Sequence, residues 1–153
     1  MSTTHIEDLI ELQTRVGSEV ALSDWFEVTQ ERINLFAEAT EDRNWLHIDP
    51  ARSALESPFK ETIAHGFLTL SLLSELLKLA MSVGGVRMGL NYGLNRVRFV
   101  RPVPAGARIR GRFLLAGVEP ISGGVQATWK VTVERDGSEK PCCVAEWLVR
   151  YYV

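Results

Sequence analysis

Very little in the composition of this chain is extreme, and each shortage excludes something. Of 153 residues only two are cysteine and three are histidine, and the charges nearly cancel to a formal −2. The two cysteines, Cys142 and Cys143, are adjacent, and a bridge between neighbours strains the peptide that joins them. A disulfide-held scaffold is therefore excluded, and both thiols are read as packing residues. Without a basic excess there is no footprint for displacing phosphate counterions, so no nucleic-acid partner is expected. The opening MSTTHIEDLIELQ carries acids where a targeting segment carries bases, and no signal peptide is expected. The longest apolar stretch, around Phe67 to Val83, is interrupted by Thr69, Ser71, Ser74, Glu75 and Lys78, which argues against a membrane span. A cytoplasmic location is the default.

What is present has the proportions of an ordinary globular chain: 46% hydrophobic and 24% charged residues can supply one core, so one domain spanning 1–153 is expected. Ile6, Leu9, Ile10 and Gln13 have helical spacing and predict a short helix over Ile6 to Thr14. Glu19 to Val28 reads as short, mixed and extended. Thr29 then precedes Ile33, Phe36 and Ala37, the pattern of a capped helix ending near Ala39 or Thr40. Glu41 to Phe59 reads as a loop with a turn or two of helix. Thr62 to Met81 predicts one long helix, apolar nearly all round and closed by Gly84-Gly85. Four strands follow, Gly89 to Phe99, Arg108 to Val118, Gly124 to Arg135 and Cys142 to Tyr152, separated by Pro/Gly-rich and Asp-Gly turns. The pattern is α+β, with an antiparallel sheet wrapped around a buried helix.

Two segments carry chemistry. In T40-E-D-R-N-W-L-H47-I-D49 a carboxylate and an imidazole stand five residues apart in a loop, the two groups that acid–base addition of water requires. The bland reading is that Asp42 caps a turn and His47 bonds a carbonyl. In I63-A-H-G-F-L-T-L-S-L-L-S74 the pair His65-Gly66 opens the long helix. There a first-turn amide lacks an intrahelical partner and can stabilise an oxyanion. Gly66 could equally relieve crowding, and His65 could be a satisfied structural histidine. Ser71 and Ser74 could bond back to the preceding turn or touch Asp42.

The string D42-R-N-W-L-H47-I-D49-P, followed by F59-K-E-T-I-A-H-G-F-L-T-L-S-L, resembles the signature of the MaoC-like dehydratases and (R)-specific enoyl-CoA hydratases. N44-W45-L46-H47 and N91-Y-G-L-N-R-V-R-F99 are most similar to the nodulation protein N-like branch. The resemblance spans almost the whole chain. It implies a hotdog fold, a homodimer, and syn hydration of trans-2-enoyl-CoA to (3R)-3-hydroxyacyl-CoA, with no metal or cofactor. It assigns Asp42 and His47 to activating one water, Asn44 to orienting them, the Gly66 amide to the thioester oxygen, and Ser74 to supporting Asp42. Many relatives read G-D-x-N-P-x-H, and here Glu41 replaces the glycine and Trp45 the proline.

Arg96, Arg98, Arg101, Arg108, Arg110 and Arg112 form the densest basic cluster. Most of it reads as a solvated sheet face. Arg98 and Arg101, beside a turn, are candidates for coenzyme A phosphates, and His65 is a further candidate for substrate contact. Two rival functions remain. A hotdog thioesterase would use a carboxylate on the central helix, where Glu75 is the acid available. A non-catalytic acyl-binding subunit would be expected to have lost Asp42 or His47.

Overall fold

The computed structural model describes residues 3–153. The N-terminal half comprises β1 (Thr4–Ile6), α1 (Leu9–Thr14), β2 (Glu19–Leu22), β3 (Phe26–Glu27), α2 (Gln30–Thr40), α3 (Trp45–Ile48) and α4 (Pro50–Glu56). It continues with α5 (Gly66–Ser71), α6 (Leu73–Ala80), β4 (Met81–Val83), β5 (Met88–Arg98), β6 (Arg108–Ile121), β7 (Gly124–Arg135) and β8 (Cys143–Tyr152). The fold is α+β, and no helix among the described residues is long and apolar enough to cross a membrane.

The C-terminal strands follow from alternation. In β8 every second residue is buried, Cys143 through Tyr151, and β7 buries Ala127, Trp129, Val131 and Val133 on one face. β6 extends beyond its expected end, through Pro120 to Ile121. The reversal falls instead on Ser122-Gly123, where Gly123 has φ 82° and supplies the left-handed turn. The sheet order is β2-β6-β7-β8-β5, antiparallel throughout, with β3 also paired to β6. β5 is an edge, and Leu90, Tyr92 and Leu94 on it are exposed.

Against the concave face lie α5 and α6. Leu68, Leu72, Leu73, Leu76 and Leu77 join Phe113, Leu115, Trp129 and Trp147 in the core. A fully buried leucine such as Leu76 contributes about 1.5–3 kcal/mol relative to exposure. Trp129 meets Phe113 edge-on at 6.2 Å, and its indole N–H donates to the Tyr151 hydroxyl at 3.3 Å.

The central helix differs from expectation in three respects. It starts at Gly66, because Thr62 to Ala64 are held extended: Ile63 bridges Pro104, and the Ala64 amide donates to the Val103 carbonyl. It is interrupted at Leu72, and one flank is polar, with Ser71, Ser74 and Lys78 exposed. It also ends at Ala80, since Met81 to Val83 turn extended to pair in parallel with β1. Gly84 therefore closes a strand rather than a helix, its amide donating to Ile6. The same pairing converts Thr4 to Ile6 into a strand, leaving α1 to begin at Leu9 behind the Asp8 cap.

The arginine ladder has a structural use. Arg110 and Arg112 both grip Glu134, Arg112 also reaches Glu19, and Arg108 pairs with Asp136. Burial pushes the Glu134 carboxyl up, but the Arg112 and Arg110 guanidiniums outweigh it and hold the group below its ordinary value.

Candidate functional site

Thr29 caps α2 as its position predicts, its hydroxyl accepting from the Arg32 amide at 3.1 Å. The helix ends on Glu41, whose φ of 65° turns the chain sharply into Asp42. That is the left-handed conformation for which glycine is the ordinary choice. Arg43 steadies the turn by pairing with Glu38 at 2.8 Å and also with Glu41.

Asn44 then starts α3. Its side-chain oxygen accepts from the Leu46 amide at 2.9 Å, and its own amide donates to the Asp42 carboxylate at 3.4 Å. Asn44 thus caps the one-turn helix that carries His47. Trp45, in the place of a proline, lies under the Arg52 guanidinium at 4.4 Å. Asp49 ends α3 and caps α4, accepting from the Arg52 amide at 3.0 Å.

His47 is half-buried, and its Nδ1 lies 2.7 Å from the Ile63 carbonyl oxygen. A carbonyl only accepts, so Nδ1 carries the proton and Nε2 of the neutral ring presents a lone pair. The Ile63 amide answers by donating to the Leu46 carbonyl at 3.1 Å, which clamps α3 to the segment leading into α5. Gln30, at the start of α2, donates to the His47 carbonyl at 2.7 Å and accepts from the Thr62 hydroxyl. No pattern in the sequence marks Gln30 for this role, because these two partners lie 17 and 32 residues along the chain.

His65 is 3% exposed and stacks on His47 with ring centroids 3.9 Å apart. Its Nε2 donates to the Asp42 carbonyl at 2.9 Å, and Phe36 packs against the ring at 4.9 Å. Asp42, His47 and His65 are brought together, with one ligand atom from each lying within 4.8 Å of the others. That set could also close on a divalent ion. Gly66 follows as the first residue of α5, where its amide precedes the first helical hydrogen bond. A Cβ here would lie 2.9 Å from the Phe99 ring. Gly66, Ile63, Thr69, Phe99 and Arg101 line a cavity of about 470 Å³, which places Arg101 beside the same opening.

Two other predicted residues lie apart from this set. Ser74 sits roughly two helical turns beyond Gly66, past the break at Leu72, on the flank facing β5. Among the described residues its hydroxyl pairs with Asn91 Nδ2 at 3.4 Å and not with Asp42. Arg98 folds back on the Val97 carbonyl at 2.7 Å.

The family model described as "MaoC like domain" matches residues 11–136. The chain is 52% identical over 146 residues to 3-hydroxyacyl-thioester dehydratase Z of Mycobacterium tuberculosis, covering 95% of this chain and 96% of that protein. It is 45% identical over 151 residues to nodulation protein N of Rhizobium leguminosarum bv. viciae, covering 94% and 91%. Among solved structures, R-hydratase PhaJ1 from Pseudomonas aeruginosa superposes with a TM-score of 0.68 at 25% identity, covering 90% of this chain and 81% of that one. The shared architecture is the hotdog fold.

Proposed function

Because the chain belongs to the MaoC-like dehydratase family and is a hydro-lyase, we propose that it interconverts a trans-2-enoyl-CoA and the (3R)-3-hydroxyacyl-CoA, with Asp42 and His47 as the acid–base unit. The observation that carries this reading is the bond from His47 Nδ1 to the Ile63 carbonyl. It leaves Nε2 free to act as a base, and with Asp42 and His47 offering ligand atoms within 4.8 Å of each other one water can be shared between them. In hydration the water gives one proton to this pair and its oxygen bonds to C3. The C2=C3 electrons move onto the thioester oxygen, where the Gly66 amide donates to the developing charge. The proton then returns to C2 from the same face, which makes the addition syn. Asn44 keeps α3 in register with Asp42.

Arg101 lines the cavity that Gly66 opens and is the better placed of the two arginines for a coenzyme A phosphate. Ser74, bonded to Asn91, stands outside the acid–base unit. Exposed Leu90, Tyr92 and Leu94 on an unpaired edge support a homodimer. Sedimentation at twice the chain mass, lost in Leu94→Lys, would bear this out. A cytoplasmic location belongs to the same proposal. Glu75, the acid available on the helix for thioester hydrolysis, is engaged in an ion pair with Lys78 at 2.6 Å.

The test adds trans-2-butenoyl-CoA and follows loss of the conjugated-enoyl absorbance. Asp42→Asn and His47→Gln should each lower kcat/KM by about a hundredfold to ten-thousandfold. Wild-type rates in either variant, an (S) product, or release of free coenzyme A would overturn the proposal.

A further inference from the structure

His65 is the most deeply enclosed polar side chain of the cluster, and its two nitrogens have opposite fates. Nε2 donates to the Asp42 carbonyl at 2.9 Å, whereas Nδ1 is buried with no partner. A buried acceptor left without a partner lowers stability, and a phenyl ring in the same slot would avoid that cost. The contact between Phe36 and the His65 ring shows that the surroundings suit an aromatic face. Ring packing alone therefore gives no reason for an imidazole at this position. The ring's one hydrogen bond is to the backbone of the residue assigned the carboxylate, and its face lies 3.9 Å from the His47 ring. Its side chain thus meets both members of the pair. The Asp42 stretch also needs such a hold, because Glu41 to Asn44 are exposed and begin from a left-handed residue.

We propose that His65 is a positioning residue: it holds Asp42 by the backbone and supports the His47 ring from beneath, and so sets the separation of carboxylate and imidazole. The inference rests on the acid–base reading above for its kinetic consequence, though not for its structural one. A misplacement of the order of 1 Å in such a pair costs roughly a hundredfold in rate.

Two substitutions separate the ring from the bond. His65→Phe keeps the stacked ring and loses the donor. His65→Gln loses the ring and keeps a donor, since its amide nitrogen reaches about as far as Nε2. We expect His65→Phe to match or exceed wild type in urea midpoint while kcat falls about tenfold to a hundredfold with KM within about twofold. His65→Gln should recover most of that kcat despite lower stability. Independently of any activity, amide hydrogen exchange at Arg43 and Asn44 should quicken in His65→Phe and stay near wild type in His65→Gln. The proposal is overturned if kcat and stability fall together in both variants, or if exchange at Arg43 and Asn44 is the same in all three proteins. An inert wild type would defeat the hydratase reading, while the exchange data would still decide the role of His65.

Discussion

Glu41 permits a comparison in which most terms cancel. It closes α2 with φ 65°, and a residue with a Cβ in that region costs about 1–2 kcal/mol relative to a right-handed one. Glycine escapes this cost but brings a more flexible unfolded chain, an opposing effect of about 0.5–1 kcal/mol. The Glu41 side chain is 77% exposed and Arg43 keeps its pairing to Glu38 at 2.8 Å, so losing the Glu41 ion pair costs little. Glu41→Gly and Glu41→Ala both forfeit that pair, and only the glycine relieves the backbone. The glycine variant should therefore exceed the alanine variant by about 0.5–1 kcal/mol in urea denaturation, or roughly 1–4 °C in midpoint for a chain of this size. Wild type should lie between them or level with the glycine variant. An alanine variant as stable as the glycine variant would show that the turn carries no strain. Activity should survive in both, because Asp42 is held from the His65 side.

Three further outcomes follow from packing and charge. A Cβ on Gly124 would stand 1.8 Å from the Tyr151 carbonyl oxygen, and backbone cannot swing aside, so Gly124→Ala should destabilise by about 3 kcal/mol or more in the same assay. Burial pushes the Cys142 and Cys143 thiols up to about 12 and about 11. Iodoacetamide at pH 8 should therefore leave both unmodified in the folded protein and label both in urea, as read by mass spectrometry. Glu134 is held below its ordinary 4.5 by Arg112 and Arg110 despite its burial. A lowered carboxyl contributes stability that is present above its unfolded value and lost as pH falls through the folded one. The advantage of wild type over Glu134→Gln should thus be full at pH 7 and shrink below pH 4.5.

The elements legible in the sequence are those whose pattern and partners are local. β6, β7 and β8 alternate cleanly and are joined by short turns, so their bounds were readable to within a few residues. β1 and β4 were not, because three residues each become strands only through pairing with one another across half of the chain. The same distance explains the overextended central helix: its apolar content continues past Ala80, and only β1 decides that Met81 leaves it. At the site, Asp42 and His47 stood out as chemistry-bearing residues in a short loop. The Asn44 and Asp49 caps shape that loop by the rules any helix start obeys. Ser74, which the family resemblance assigns to supporting Asp42, accepts instead from Asn91 within this chain, a partner on β5 that no local pattern marks. The hold of His65 on a carbonyl, and of Gln30 on another, cannot be read from a side-chain pattern when the acceptor is backbone.

The strand order has a consequence for how the molecule comes into being. β8 lies inside the sheet, with β7 on one side and β5 on the other. During synthesis β5 is made early, with Leu90, Tyr92 and Leu94 along it, yet its neighbour is the last strand to appear. β6 and β7 can zip together as soon as they are both free, at little loop-closure cost. β5 must wait until translation has passed Tyr152, and through that interval it is an unpaired apolar strand of the kind that seeks partners on other chains. Truncation within β8 would make that interval permanent, so nascent or shortened chains of this protein should depend on chaperone capture well before any defect in the catalytic loop is felt.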